Sequence, residues 1–255
     1  MAQPRCTVVR GIVLRETETK ESDKILTLLT DLYGKISVIA RGARRKSCKF
    51  SACAQPLVFS EWTLYHRKDW FYVNEGTTLE LFEGLRADLN ALSLGAYFAE
   101  LTEAVAQEGE PVPELLRHLL NGLYALSTLG KPLKLVKAAF ELTLLALSGY
   151  EPMAECCAVC GREDVVQPVL DAVEGVVRCR TCGEQSRALL LPLCAGSLEA
   201  MRHILYGDPK RLYSFQLGEA SLQRLSAAAE AVTLAQLDRG FRTLDFYKRL
   251  ESPQI

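Results

Sequence analysis

Apolar and polar residues alternate along five short runs in the first third of the chain, at residues 7–14, 24–30, 35–40, 57–65 and 70–75. Alternation puts successive side chains on opposite faces of an extended chain, so each run predicts a strand. Asp31-Leu32-Tyr33-Gly34 joins the second and third runs, where a glycine allows the positive φ of a tight hairpin. His66-Arg67-Lys68-Asp69 is a polar turn between the fourth and fifth. Five short strands with no long helical pattern between them predict a small barrel of the OB type, and an SH3-like barrel fits the same pattern.

After Leu85 the period lengthens to about 3.6. Leu89, Leu92, Tyr97, Leu101 and Val105 form one helical stripe, and Gly109-Glu110-Pro111-Val112-Pro113 ends it. Residues 114–129 and 132–147 predict two more amphipathic helices, separated by Gly130-Lys131-Pro132 and closed by Gly149. Residues 155–186 are polar and cysteine-rich, with glycines at 161, 175 and 183, which predicts an inserted knuckle rather than a regular element. Helical periodicity resumes at 196–205, 219–234 and 236–250, and residues 252–255 read as a loose tail. The expected architecture is α+β: an OB-fold barrel over residues 1–81, then an α-helical domain over 82–255 with a knuckle at 155–186.

Composition agrees with a folded, soluble chain: of 255 residues, 49% are hydrophobic and 24% charged, unlike disordered or fibrous sequences. Taken as a total, the net charge of -1 disfavours a polyanionic partner. It is a cancellation. Residues 1–80 carry 13 Lys and Arg against 9 Asp and Glu, about +4, and the remainder carries 17 against 22, about -5. No acidic residue stands between Asp31 and Glu61, whereas Lys35, Arg41, Arg44, Arg45, Lys46 and Lys49 all do. Nine cysteines, an odd number, with no continuous apolar run in residues 1–14, point to a reducing cytosol. The most apolar stretches, 142–147 and 188–195, are too short to span a bilayer, so no membrane partner is expected.

The strongest chemical signal is Cys157-Ala-Val-Cys160 with Cys179-Arg-Thr-Cys182, separated by 18 residues. That is zinc-ribbon spacing. Four thiolates fill a tetrahedron at about 2.3 Å and leave no open position, so one structural zinc per chain is expected, holding shape rather than hydrolysing anything. Gly161 and Gly183 follow each pair and suit a tight turn. Two disulfides or unligated thiols are the alternatives. Cys156 competes with Cys157 as a ligand, but the two-residue spacing favours Cys157. Cys6, Cys48, Cys53 and Cys194 have no partner at metal-ligand spacing.

The basic segment, residues 41–49, sits between two predicted strands and therefore on a loop or strand edge. A solvated charged loop is the plain reading. On an OB-like barrel the same cations suit a single nucleic-acid strand, with Lys35, Arg41, Arg44, Arg45, Lys46 and Lys49 tracking phosphates. Phe50, Tyr65, Trp70 and Tyr72 are candidate stacking faces, although each residue type is more often core. No helix-turn-helix or RNA-recognition signature is present, so sequence preference should be weak. Catalysis lacks its parts: His66, His118 and His203 lie in three different regions, and no phosphate loop, nucleophile elbow or metalloprotease helix occurs. The chain is not expected to be an enzyme.

The order of basic β barrel, helical domain and four-cysteine knuckle resembles the bacterial RecO family of DNA repair and recombination mediators. Residues 40–47 look like that family's basic loop, and Gln55-Pro56-Leu57 resembles the step after it. Leu85-Arg86-Ala87-Asp88 and residues 96–101 are similar to its entry into the first long helix, and residues 157–182 to its zinc knuckle. The resemblance covers nearly the whole chain. It implies a non-enzymatic mediator that binds single- and double-stranded DNA, anneals complementary strands and, with RecR, helps load RecA onto DNA covered by single-strand-binding protein. The place implied is the cytoplasm, at the nucleoid. It also implies docking of the acidic C-terminal tail of single-strand-binding protein on the helical domain. Lys131, Lys134 and Lys137 could pair with such a tail, but an exposed helical face explains them equally well. Two departures stand out: the fifth thiol at Cys156, and Glu174-Gly175-Val176 where many relatives carry a glycine pair. An OB-fold RNA-binding protein with a structural zinc ribbon, or an interaction scaffold that does not bind DNA, are the competing functions.

Overall fold

The computed structural model describes residues 6–19, 21–184 and 190–251, so the expected tail at 252–255 lies outside the described residues. Five strands close a barrel in the order β1-β2-β3-β5-β4: β1 (Cys6–Thr19), β2 (Asp23–Thr30), β3 (Gly34–Ala40), β4 (Phe59–Arg67) and β5 (Trp70–Glu80). Neighbours are antiparallel except β3 and β5, which pair in parallel through Val38–Phe71 and Ile39–Tyr72. The barrel closes because β1 is long enough to serve two partners. Its first half pairs with β4, from Cys6–Tyr65 to Ile12–Phe59, and from Gly11 to Thr19 it pairs with β2, with a bulge between Val13 and Arg15. This strand order is that of an OB fold, which decides between the two barrels the pattern allows.

The barrel interior holds Val9, Val13, Leu26, Leu28, Val38, Leu64 and the fully buried Trp62, whose indole N–H donates to the Gly11 carbonyl at 3.1 Å. Gly34 takes φ +59° in the β2–β3 turn, as expected. A Cβ there would also lie 1.9 Å from the Glu110 carbonyl oxygen, so the position excludes side chains twice over. Leu57 holds φ +64° without being glycine. Its buried side chain and the bond from its N–H to the Val13 carbonyl, 2.9 Å, offset a cost of about 1–2 kcal/mol.

Compactness divides the chain differently from periodicity. One unit comprises residues 1–128 and 241–255, the other 129–240. In the first, helices α1 (Glu83–Ala87), α2 (Leu89–Val105) and α3 (Pro113–Thr128) accompany the barrel. Asp88 caps α2 by accepting from the N–H groups of Asn90 and Ala91 at 2.8 and 3.3 Å. Glu103 ties the far end of α2 to the barrel: its carboxylate accepts from Arg15 Nε and Nη2, at 3.0 and 2.8 Å.

The second unit contains α4 (Leu133–Leu147), a three-stranded sheet in the order β7-β6-β8 built from β6 (Val169–Asp171), β7 (Val176–Arg178) and β8 (Leu190–Pro192), a one-turn α5 (Arg180–Gly183), α6 (Ala195–Tyr206) and α7 (Glu219–Leu237). Its core is formed by Leu142, Leu145, Met201, Leu225 and Val232 with their neighbours. Two expectations are corrected here. The knuckle is not devoid of regular elements, because β6, β7 and α5 lie within it. The helix expected at 236–250 is broken: α7 ends at Leu237, Asp238 turns to φ +47°, and α8 (Arg242–Glu251) begins afresh in the first unit. The polar Asp238-Arg239-Gly240 step supplies no apolar residue to continue the stripe. Lys137 does not belong to an exposed face either. It is buried on α4, with Nζ 2.8 Å from Glu141 and 3.0 Å from Glu230.

Candidate nucleic-acid loop and metal centre

The basic loop runs from Ala40 to Phe59 as a succession of turns. It is fastened from beneath: Ala43, Phe50, Cys53 and Ala54 are buried in the barrel core. Gly42 N–H donates to the Asp23 carboxylate at 2.8 Å, and Arg44 N–H to the Ser22 carbonyl at 3.1 Å. With its apolar residues committed inward, the loop turns Arg41, Arg44, Arg45, Lys46 and Lys49 outward, all exposed. The six candidate cations are not equivalent. Lys35 reaches α2 and donates to the Glu103 carbonyl at 3.0 Å. Arg44 pairs with Glu18 at 3.3 Å and donates to the Glu21 carbonyl at 3.4 Å, bracing the β1–β2 connection. Arg41 lies over the Tyr72 ring, 4.7 Å from its centre. Arg45, Lys46 and Lys49 form no ion pair among the described residues. Of the candidate stacking residues, Phe50 is core, Tyr65 and Tyr72 stack on each other at 5.2 Å, and Trp70 is 43% exposed.

In the knuckle the sulfur atoms of Cys157, Cys160, Cys179 and Cys182 all lie within 4.8 Å of one another. The first pair sits on a turn closed by Gly161 N–H to the Cys157 carbonyl and Cys157 N–H to the Arg162 carbonyl, both 2.9 Å. Gly161 has φ +70° and fulfils the expected turn role. Gly183 has no positive φ; instead a Cβ there would come within 2.8 Å of the Val169 side chain, so it serves close packing. The β6–β7 hairpin delivers the second pair, and its single Gly175 suffices, with its N–H bonded to the Asp171 carbonyl at 2.9 Å.

The donor set fits a metal. Burial pushes the Cys157 thiol up, yet donors from Cys160, Cys179 and Val159 outweigh it and hold the group at about 6. Cys182 moves the other way, to about 12, chiefly through its hydrogen bond with the Cys179 sulfur and then through burial. Sulfurs so close cannot all ionise without a cation between them, and a divalent ion would remove that obstacle. Cys156 stands outside the cluster and is half-buried.

Comparison with known proteins places both regions in one lineage. The model of the recombination protein O N terminal region matches residues 6–82, and that of the C terminal region matches residues 86–245. The chain belongs to the RecO family. Proteins named DNA repair protein RecO are similar to it over most of its length. That of Acetivibrio thermocellus is 32% identical over 242 residues, 94% of this chain and 96% of the relative. That of Caldicellulosiruptor bescii is 31% identical, covering 95% and 98%, and that of Symbiobacterium thermophilum 32% identical, covering 96% and 97%.

In this RecO family member two residues that position the knuckle escape a reading by motif. Arg202 on α6 donates through Nε to the Ala154 carbonyl at 2.9 Å and through Nη2 to the carbonyls of Glu155 and Glu163 at 2.7 and 2.9 Å. One guanidinium thereby grips the chain on both sides of the first cysteine pair. One turn later, the Tyr206 hydroxyl donates to the Pro152 carbonyl and accepts from Ala154 N–H, at 3.1 and 2.9 Å. Their spacing of i and i+4 on a helix was the available signal, but nothing local distinguishes it from an ordinary solvated face. The three histidines occupy separate environments: His66 is exposed at the end of β4, His118 is buried on α3, and His203 lies 3.0 Å from the Arg211 carbonyl.

Proposed function

We propose that this chain is a non-enzymatic recombination mediator: it binds single- and double-stranded DNA, anneals complementary strands, and works with RecR to load RecA where single-strand-binding protein covers the DNA. The observation that carries the reading is membership of the RecO family over both parts of the chain, joined to an OB barrel whose basic loop projects cations from a buried apolar base. Annealing requires phosphate repulsion between two strands to be neutralised while base edges stay free to pair. A cationic loop that tracks backbone does this without reading sequence.

On this reading residues 1–81 are the DNA platform, and the helical part, residues 82–255, receives protein partners, among them the acidic C-terminal tail of single-strand-binding protein. Cys157, Cys160, Cys179 and Cys182 hold one structural zinc, which supplies cross-linking of the knuckle and no reaction step. No described helix is long and apolar enough to cross a membrane. The place of action is the cytoplasm, at the nucleoid.

A strand-annealing assay with complementary oligonucleotides, with and without single-strand-binding protein and across salt, tests the function. Annealing should accelerate, and affinity for a single strand should fall with salt at a log-log slope of about -3 to -4 if four to six cations meet phosphate. No acceleration at any salt overturns the reading.

A further inference from the structure

The DNA-binding reading leaves open where on the barrel the strand runs. We propose that a single strand passes through the groove between the basic loop and the outer edge of β5, its phosphates on Arg41, Arg45 and Lys49, rather than along β3 and the β1–β2 connection; this rests on the DNA-binding reading above.

Three observations converge. The first is the use already made of each cation. Along β3 and at the β1–β2 connection, Lys35 and Arg44 are spent on the Glu103 carbonyl and on Glu18 with the Glu21 carbonyl, so a phosphate there must displace existing bonds. Arg45 and Lys49 have no such partner among the described residues, and stacking on Tyr72 leaves the in-plane donors of Arg41 unspent.

The second is shape. A groove of about 490 Å³ is lined on one wall by Arg41, Arg45 and Lys49 and on the other by residues 74–77. That volume is of the size that holds a small ligand, enough for a short piece of one strand and too little for a duplex.

The third is the chemistry of the opposite wall. β5 pairs with β3 only at Phe71 and Tyr72 but continues along β4 to Glu80. Beyond Tyr72 its β3-side edge has no strand partner among the described residues, and residues 74–77 border the groove. Asn74 is the extra residue of a bulge, opposite the step from Thr63 to Leu64. Glu75 is the one carboxylate on the groove's lining. It repels phosphate from the β5 wall, so the backbone lies against the loop wall, and neutral amide and peptide groups face sugars and bases.

Fluorescence anisotropy with an oligo(dT) strand, using the full chain over a range of salt, tests the path. Arg45→Glu with Lys49→Glu should weaken binding at least about tenfold and flatten the log-log salt slope by about 1.4, at 0.7 for each lost phosphate. Arg44→Gln and Lys35→Gln should each stay within about twofold of the parent. Glu75→Gln should tighten binding about twofold or more, an effect expected only if the strand passes that carboxylate. A thermal melt on each variant reports the fold. Parent-like binding by the folded Arg45/Lys49 variant, or no gain from Glu75→Gln, overturns the path while leaving the DNA-binding reading intact. A parent chain that binds no single strand overturns that reading itself.

Discussion

The basic loop and the cysteine knuckle are both irregular segments between regular elements, yet each is held by a different force. The loop is anchored from within: Ala43, Phe50, Cys53 and Ala54 sink into the barrel, and Arg45, Lys46 and Lys49 above them are exposed with no ion pair among the described residues. The knuckle is held from outside and across its own centre. Arg202 and Tyr206 grip its entry and the chain on both sides of the first cysteine pair, and four sulfurs converge at its centre. An apolar anchor works with no ligand at all, so the loop is formed before any ligand arrives. A sulfur cluster does not, because its thiolates repel until a cation joins them. The two sites should therefore answer differently to the same insult.

The largest effect should follow from breaking the cluster. Cys179→Ser leaves three sulfurs, and structural zinc binding is a term of about 10–16 kcal/mol in small zinc domains. Metal content measured on the purified variant should fall from about one ion per chain toward zero, and the knuckle should become protease-sensitive around residues 155–184. The barrel should still close and still bind a single strand. A full complement of metal in the variant would remove the four-sulfur site, and loss of the barrel's cooperative melt would remove the distinction between the two sites.

Next in size is the loop's anchor. Phe50→Ala deletes a ring that is 9% exposed in the barrel core, a change that costs about 3–5 kcal/mol. Chemical denaturation should show that loss, and binding of single strands should weaken although no charge has changed. Metal content should not move. If strand binding survives a destabilisation of that size, the cations do not depend on the anchor for their placement.

What could be read from the residues beforehand divides along the same line. The cysteine spacing specifies a geometry, since C-x2-C wraps two thiolates about one point wherever it occurs, and it separates Cys157 from Cys156. A run of positive charge specifies only a sign. It names Lys35 and Arg44 alongside Arg45 and Lys49, although the first two brace the barrel through Glu103, Glu18 and Glu21, which are distant or unremarkable in sequence. Strand alternation exposed all five barrel strands, and Gly34 marked its turn correctly. The ends were hidden: β1 extends to Thr19 through a bulge, and the break between α7 and α8 falls at the polar Asp238-Arg239-Gly240 step rather than at 235. Lys137 was illegible for a related reason. Its carboxylate partner Glu230 lies on α7, and nothing in the local pattern announces a buried ion pair.

The external clamp comes third. Arg202→Ala removes three carbonyl contacts without touching a sulfur, and loss of a group that orients metal ligands costs about 10- to 100-fold in affinity. Competition with a chelating indicator should show a loss in that range, with the helical signal of the variant unchanged. Arg202→Lys carries one point of charge and cannot span three carbonyls, so it should recover only part of the loss. Full affinity in Arg202→Ala would mean that the sulfurs organise the knuckle alone.

The smallest effect concerns a thiol outside the cluster. Cys194 opens α6, and although burial pushes its thiol up, the hydroxyls of Ser197 and Ser221 with the nearby Arg224 bring it down to about 7. Its folded value lies below the ordinary thiol range of about 8.5, so its contribution to stability is full above that range and fades as pH falls through about 7. The same sign governs its reactivity, because the thiolate is the nucleophile. Alkylation by iodoacetamide, followed residue by residue with mass spectrometry on the metal-loaded chain, should show Cys194 modified with a midpoint near pH 7, about one and a half units below an ordinary thiol. Cys157 and Cys179 should stay protected while the metal is bound and become reactive when a chelator removes it. A midpoint for Cys194 near 8.5 would show that the serine hydroxyls do not stabilise its thiolate. Alkylation of Cys157 in the metal-loaded chain would show that the convergence of sulfurs does not shield them, and the knuckle would then be held by its clamp more than by its centre.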